Sequence, residues 1–163
     1  MDPEAPHVRT AARILVIDDA NRVLLLAARD PADGRVVWFV PGGGIEAGES
    51  LLDAAQRELA EEVPAAGQLA LHGPVWRRRH LFSWNGRRID QTEWFFVGRL
   101  AGSIDAQDIR VSGPEEAFFV GARWASVSDL ADSDDVFAPR RIAELLAPIL
   151  AGDYPAEPID TGT

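Results

Sequence analysis

The sequence predicts an α+β fold, in which helices flank a mixed β-sheet as an α/β/α sandwich. Three observations support this: two pairs of aliphatic and aromatic segments typical of β-hairpins, a helix with an apolar stripe between them, and a second apolar helix near the end of the chain. Because strands and helices are interspersed, we expect the helices to cover a single sheet. With 163 residues, the chain fits one domain over 1–163.

The first predicted hairpin joins segment 8–17 to segment 22–28 through a turn-forming cluster at 18–21. A short strand over 36–40 follows and leads into a glycine-rich loop. Segments 1–7 and 153–163 are polar and contain proline, so we expect flexible tails at both ends.

The second hairpin is the clearest local prediction, because Asn85-Gly86 is the preferred pair for a type I′ turn between 75–84 and 87–97. Counting outward from this turn pairs Phe82 with Ile89, His80 with Gln91, Arg78 with Glu93 and Trp76 with Phe95. The opposite charges of Arg78 and Glu93 support that register. A loop over 101–114, a strand over 118–124 and a closing helix over 140–150 complete the prediction.

Between the hairpins, a helix is predicted to begin after Ser50, which can cap it with Asp53 in a capping-box arrangement. Pro64 is expected to end the helix. Its apolar stripe consists of Leu51, Leu52, Ala55, Leu59 and Val63.

The same helix carries Glu58, Glu61 and Glu62 at positions i, i+3 and i+4, so their side chains project from one face. Like charges at this spacing destabilise an isolated helix, whereas a hard divalent cation prefers clustered carboxylate oxygens as ligands. The simpler alternative is an acidic helix face that only contacts solvent.

Two features upstream favour the metal site. Gly42, Gly43 and Gly44 allow the backbone to approach a ligand closely. Arg57 is placed to bind a carboxylate of the preceding loop, either Glu46 or Glu49, and thereby to hold the loop against the helix.

The pattern Gly43-x5-Glu49-x7-Arg57-Glu58-Leu59-x-Glu61-Glu62 resembles the Nudix box, G-x5-E-x7-R-E-U-x-E-E-x-G-U, where U is a bulky aliphatic residue. Seven of the nine specified positions match. The departures are Pro64, where the family has the glycine that closes the helix, and Ala65, where it has a larger aliphatic residue. We therefore expect this helix to end differently, which bears on the placement of Glu62.

The resemblance implies a Nudix-type pyrophosphohydrolase, which acts on acid anhydrides in phosphorus-containing compounds. Its substrate would be a nucleoside diphosphate linked to some group X, most simply a nucleoside triphosphate or a related nucleotide. It further implies binding of Mg²⁺ or Mn²⁺ by Glu58, Glu61 and Glu62, with a carbonyl group from Gly42 or Gly43.

Catalytic roles are also implied by the resemblance. Arg57 and Glu49 would orient the site as an ion pair. Glu61 or Glu58 would accept a proton from the attacking water. Because some family members use a glutamate in a late loop, Glu115 and Glu116 are further candidates.

The substrate is less well defined. His80 stands where ADP-ribose hydrolases of the family have proline, Phe82 stands where many dinucleoside polyphosphate hydrolases have tyrosine, and an SQPWPFP-type array is absent. Elimination leaves a small generalist type of the family, which acts on nucleoside triphosphates or related diphosphates. Arg78 and His80 belong to the basic run 77–80 and share one strand face, so they are candidate substrate-binding residues.

Composition excludes several other classes. The absence of cysteine removes disulfides, zinc–thiolate sites and a cysteine-dependent isomerase of the isopentenyl-diphosphate type. A net charge of −10 argues against a nucleic-acid polymer or a membrane surface as partner. Without an apolar leader or an 18-residue apolar run, a cytoplasmic protein is expected.

Two points stay open. A Nudix domain that binds a nucleotide without turnover is the alternative to an enzyme. A homodimer is compatible with the family resemblance, and Trp84 and Trp94 are the candidate interface residues.

Overall fold

A computed structural model describes residues 5–111 and 113–163, with side chains described for all of these except 113–115. Three α-helices are found in the described residues: α1 Leu51–Glu62, α2 Val127–Ala131 and α3 Ile142–Leu150. Nine strands of the described chain form one sheet: β1 His7–Ile17, β2 Val23–Arg29, β3 Val36–Phe39, β4 Gly42–Gly44, β5 His72–Trp84, β6 Arg87–Arg99, β7 Phe119–Ala125, β8 Val136–Ala138 and β9 Ile159–Asp160. None of the helices in this part of the chain combines the length and apolar character needed to cross a membrane.

The strand order is β8-β3-β2-β1-β6-β5-β9, with β4 paired to β1 and β7 paired to β2. The sheet is mixed, because β1–β6, β3–β8 and β5–β9 run parallel while the other pairs are antiparallel. This confirms the predicted α+β fold with a mixed sheet and flanking helices.

The central strand β1 divides the interior into two apolar layers. Leu15 and Ile17 face the layer that α2 and α3 cover, whereas Ile14 and Val16 face the layer under α1. A strand buried on both faces is apolar nearly throughout, and the one charged side chain within this buried stretch is Arg13. Helix α1, with its carboxylates, and the side chain of Arg13 therefore lie on opposite faces of the sheet.

The first hairpin forms between β1 and β2, which pair at Ile17 and Val23 beside the predicted turn. Asn21 in this turn has a φ of 56°, a value that asparagine tolerates better than most residues. Beyond the turn the two strands separate. β2 pairs with β3 and β7, which leaves the edge of β1 open for β4.

The second hairpin has the predicted turn and register. Asn85 and Gly86 have φ values of 48° and 76°, as a type I′ turn requires, and all four predicted cross-strand pairs are present. Both strands are longer than predicted. Trp76 and Phe95 are fully buried in the layer beneath α3, with ring centroids 5.6 Å apart.

The segment 153–163 is not the flexible tail that its composition suggests. β9 pairs with β5, Thr161 is buried, and the Thr163 carbonyl accepts a hydrogen bond from the Arg140 backbone N–H. The free edge of β5 offers unpaired backbone groups, and a polar segment can satisfy them without an apolar pattern of its own. At the other end, His7 already belongs to β1.

Four short elements, β4, α2, β8 and β9, are absent from the sequence prediction. In α1, Leu52 is also misassigned: it is 40% exposed, while Ala54 is buried. Leu52 and Leu59 are seven residues apart and share a helix face, but Leu52 lies in the first turn of α1, ahead of the buried residues of the helix, which begin at Ala54.

Leu146 of α3 is completely buried. We expect Leu146→Ala to lower the free energy of unfolding by about 2–5 kcal/mol, because the change removes buried methyl groups and leaves a cavity. Denaturant unfolding followed by tryptophan fluorescence measures this loss. The matched control is Leu81→Ala, since Leu81 is 55% exposed and should change stability by no more than about 0.5 kcal/mol. Equal losses at both positions would contradict the packing of α3 described above.

Candidate active site

The site is built around β4, in which all three residues are glycine. A Cβ atom on Gly43 would lie 2.5 Å from Oε1 of Glu58, and one on Gly44 would lie 3.0 Å from Nε of Arg9. Gly42 has a φ of +144°, and a Cβ atom there would lie 2.1 Å from the backbone oxygen of Ala12. β4 thus presents bare backbone on both faces, and side chains from α1 and β1 approach it from opposite sides.

Helix α1 begins where predicted, and one half of the predicted capping box forms, because the Ser50 side-chain oxygen accepts a hydrogen bond from the Asp53 backbone N–H. The reciprocal bond from the Ser50 backbone N–H to the Asp53 side chain is not formed in the described residues. The end of α1 differs from the family pattern. Val63 has a non-helical conformation, with φ −128° and ψ 71°, as is usual before proline, and Pro64 starts a 3₁₀ turn. The predicted effect of Pro64 on the helix end is confirmed.

The helix end is closed by a different loop instead of a glycine. The Glu62 backbone carbonyl accepts a hydrogen bond of 2.8 Å from the Arg110 backbone N–H. The Glu62 side chain is fixed as well, because Oε2 accepts a hydrogen bond of 3.0 Å from the Gly42 N–H and the residue is only 4% exposed. The Glu62 carboxylate therefore contacts β4 even though Pro64 replaces the usual glycine.

Arg57 connects α1 to the glycine-rich loop. Its Nε and Nη2 atoms donate to the two carboxylate oxygens of Glu49 at 2.7 and 2.9 Å, and Nη2 also donates to the Gly44 carbonyl at 3.1 Å. Glu46, the alternative partner, forms only a longer ion pair of 3.8 Å with Nη1. The two-pronged contact makes Glu49 the main partner.

This ion pair shifts both pKa values. The hydrogen bond from Arg57 lowers the pKa of the Glu49 carboxyl to about 2, and the reciprocal hydrogen bond raises the pKa of Arg57. Glu49 therefore remains a carboxylate at neutral pH and holds Arg57 in place, and its low proton affinity makes it a poor general base.

The three glutamates of α1 differ in their surroundings. Glu62 is buried against Gly42, and Glu58 is mostly buried and accepts a hydrogen bond of 2.9 Å from Arg57 Nη1. The Glu61 side chain is 48% exposed, and its Oε2 lies 3.6 Å from the same guanidinium nitrogen.

The donor atoms suit a hard divalent cation, because carboxylate oxygens and the carbonyl groups of β4 are the ligands that Mg²⁺ and Mn²⁺ prefer. The missing side chain at Gly43 keeps the Glu58 carboxylate next to the backbone of β4. Within the described residues, however, no three His, Asp or Glu side chains already surround a common point at metal-ligand distances. The residue types therefore suit a divalent cation, and the three carboxylates lie along one face of α1.

Arg78 and His80 lie on the sheet face opposite α1. Arg78 is buried and donates through Nη1 to Glu93 Oε1, while Arg13 donates to Oε2 of the same carboxylate at 2.7 Å. The predicted pair of Arg78 with Glu93 is thus confirmed, and Arg78 is engaged within the protein. Arg13 is absent from the predicted site residues, although a single arginine within an apolar strand is the signal that could have identified it.

His80 is half-buried and stacks on Phe82, with ring centroids 5.2 Å apart and an interplanar angle of 12°. Burial, and then the positive charge of Arg78, lower the pKa of His80 below its usual range, so the imidazole is neutral at pH 7.

The two late-loop glutamates predicted as alternative proton acceptors lie outside α1 and β4. Glu116 is exposed and its side chain forms no hydrogen bond or ion pair with the described part of the chain. The side chain of Glu115 lies outside the described residues.

The two candidate interface residues are partly buried. Trp84 packs against Phe118, and Trp94 lies beneath Arg77. Their role at a dimer interface stays a prediction.

The Glu49 pKa provides a direct test of the ion pair. Because this pKa is lower in the folded chain than its ordinary value of 4.5, the pair stabilises the fold above pH 4.5, and that contribution is lost as the pH falls through about 2. We expect the Glu49 carboxyl group to remain ionised down to about pH 3, as followed by the NMR chemical shift of its carboxyl carbon. In Arg57→Met its midpoint should return toward 4.5. An unchanged midpoint in that variant would show that Arg57 is not the cause.

Comparison with known proteins identifies the family. The NUDIX domain family model matches residues 7–146. An RNA pyrophosphohydrolase of Novosphingobium aromaticivorans is 32% identical, over 76% of this chain and 81% of that protein. A putative mutator protein MutT4 of Mycobacterium tuberculosis is 30% identical, over 90% of this chain and 59% of that protein.

Solved structures share the fold. A MutT protein from Methanosarcina mazei Go1 superimposes with a TM-score of 0.65 at 16% identity, over 86% of this chain and 94% of that chain. The Escherichia coli dihydroneopterin triphosphate pyrophosphohydrolase gives a TM-score of 0.60 at 21% identity, over 86% and 97%. The chain therefore belongs to the NUDIX family and is a Nudix-type pyrophosphohydrolase.

Proposed function

We propose that the protein hydrolyses the diphosphate linkage of a nucleoside diphosphate linked to a group X, that nucleoside triphosphates and related nucleotides are its substrates, and that the reaction requires Mg²⁺ or Mn²⁺. One observation carries this proposal. Arg57 holds the carboxylate-bearing face of α1 against β4, where Gly43 leaves space for the Glu58 carboxylate beside bare backbone.

In this proposal Glu58, Glu61 and Glu62, together with a carbonyl group of Gly42 or Gly43, hold the cation. When bound, such an ion polarises phosphoryl oxygens, lowers the pKa of the attacking water and neutralises charge on the leaving phosphate. Grouping the three carboxylates around one point is part of the proposal, and Glu58 and Glu62 start from positions fixed by Arg57 and Gly42.

The proton of the attacking water requires an acceptor, and we assign this role to Glu61. Its side chain is 48% exposed, so water reaches it. Glu58 is less suitable, because Arg57 Nη1 already donates to its Oε1 and competes with a proton for that oxygen. Glu116 is exposed and its role as an alternative acceptor stays a prediction.

Arg57 has a positioning role in this scheme. It binds Glu49 with two hydrogen bonds, and through Gly44 it also binds the backbone of β4. These contacts fix the distance between the helix and the loop, which matters because a misplacement of about 1 Å at a reaction centre can cost roughly 100-fold in rate.

The identity of X and the size of the substrate are separate questions. The names of several relatives include RNA as their substrate, and an unmodified RNA carries its diphosphate linkages in the 5′-terminal triphosphate. The net charge of −10 disfavours a polyanionic polymer, so we propose the mononucleotide as substrate. Comparing kcat/KM for a nucleoside triphosphate and a 5′-triphosphorylated oligoribonucleotide distinguishes the two.

We expect Glu61→Gln to lower kcat by about 100-fold or more, because it removes the proposed proton acceptor and one charge of the metal site. Phosphate release from a nucleotide panel with Mg²⁺ and a coupling pyrophosphatase measures the rate. Glu144→Gln is the matched control, since Glu144 is exposed on α3 and pairs with Arg141 of its own helix end.

Wild-type rates in Glu61→Gln would reject the assignment of Glu61. Binding of nucleotides without turnover of any diphosphate by the wild-type protein would reject the hydrolase proposal and favour a nucleotide-sensing domain.

A further inference from the structure

Glu62, the last residue of α1, is held from two sides. Its carboxylate accepts a hydrogen bond of 3.0 Å from the Gly42 N–H, and its backbone carbonyl accepts one of 2.8 Å from the Arg110 N–H. The first contact joins Glu62 to β4. The second joins it to the loop 104–110, which follows β6 and is far from α1 in sequence. The position of Glu62 therefore depends on this loop as well as on the helix.

Pro64 makes the contact with the loop necessary. A glycine in the left-handed conformation normally closes a helix with backbone N–H groups from its own end. Proline has no N–H and holds φ at about −65°. Val63, which precedes it, has already left the helical conformation. Without the Arg110 N–H, the Glu62 carbonyl group would lose a hydrogen bond within a residue that is only 4% exposed.

The loop that supplies this N–H is anchored at two points. Ile109, next to Arg110, is 7% exposed and packs in the same apolar layer as Val63. At the start of the loop, the Ile104 carbonyl accepts a hydrogen bond of 2.6 Å from the indole N–H of Trp124 on β7. The donor at Arg110 is therefore presented by a segment fixed to the sheet and to the layer under α1.

An open cleft separates this loop from the residues that follow α1. It has a volume of about 260 Å³ and is lined by Val63, Pro64, Ala65, Ile104, Asp108 and Arg110. Because side chains do not fill this space, packing against the loop cannot replace the hydrogen bond to Glu62. The cleft also leaves room for the end of the helix to move when that hydrogen bond is lost.

We infer that Arg110 is a positioning residue, whose backbone N–H holds Glu62 in place and thereby sets the affinity of the site for its divalent cation. The inference rests on the proposed function for the role of Glu62 as a metal ligand. Hydrogen-bonding partners that orient a metal ligand typically contribute roughly 10- to 100-fold to metal affinity. The Arg110 side chain takes no part, since it is exposed and forms no hydrogen bond or ion pair within the described residues.

The variant Arg110→Pro removes the N–H. Ile109 has φ −76° and ψ 137°, which residues before proline favour, so it needs no rearrangement. We expect the Gly42 N–H to exchange with solvent at least roughly tenfold faster in this variant, because the Glu62 carboxylate no longer holds it. Hydrogen exchange followed by NMR measures this in the absence of metal and substrate.

The second readout is binding of Mn²⁺ to the substrate-free protein, measured by EPR of the unbound ion. In Arg110→Pro the Kd for Mn²⁺ should rise by roughly 10- to 100-fold. The Mg²⁺ concentration that half-saturates hydrolysis should rise with it, while kcat at saturating Mg²⁺ stays near the wild-type value. Damage to the fold alone would instead lower kcat at every Mg²⁺ concentration.

Two controls separate the N–H from other effects. Arg110→Ala keeps the N–H and removes only the side chain, so both readouts should match the wild type. Ala106→Pro places a proline in the same loop, at the first position of the 3₁₀ turn Ala106–Asp108, where proline is favoured, and should also match the wild type. If Arg110→Pro does not fold, Ile109→Ala loosens the anchor of the N–H and should change both readouts in the same direction.

An unchanged Mn²⁺ affinity in a folded Arg110→Pro would overturn the inference, whatever the exchange rate at Gly42. Failure of the proposed function is seen in the wild type alone, as the absence of both Mn²⁺ binding and hydrolysis. In that case exchange at Gly42 still decides whether Arg110 positions Glu62. Faster exchange in Arg110→Pro than in Arg110→Ala supports the positioning role, and equal rates overturn it.

Discussion

At Gly43 the carboxylate of Glu58 lies so close to the backbone of β4 that a Cβ atom would be 2.5 Å from Oε1. The other two residues of β4 also have close neighbours, with Gly42 against Ala12 and Gly44 against Arg9. A strand without side chains is thin enough for charged groups to approach it from both faces. This close approach brings the helix that carries the proposed metal ligands into contact with the backbone of β4.

The contacts around β4 also explain how an incomplete Nudix box retains its geometry. Arg57 binds the loop through Glu49 and the strand through the Gly44 carbonyl, so one side chain joins helix, loop and strand. At the far end, where Pro64 replaces the usual glycine, the backbone N–H of Arg110 caps the last helical carbonyl group. A cap from a distant loop substitutes for a local one, and the Glu62 side chain still reaches Gly42.

Features with a local cause were predictable from the sequence. The Asn85-Gly86 turn fixed the register of β5 and β6, and the Arg57 spacing indicated an ion pair with the preceding loop. Features that depend on distant partners were not. β9 pairs because β5 has a free edge, and these two strands are far apart in sequence. The choice of Glu49 over Glu46 likewise required the folded loop.

The most direct test of the central role of β4 is the activity of Gly43→Ala. The added Cβ atom meets the flexible end of the Glu58 side chain, so the variant should fold with nearly wild-type stability while the carboxylate is displaced. We expect kcat/KM for nucleoside triphosphates to fall at least tenfold. Gly121→Ala on β7, where a Cβ atom meets nothing within 4 Å, should retain full activity. Wild-type activity in a folded Gly43→Ala would contradict the account.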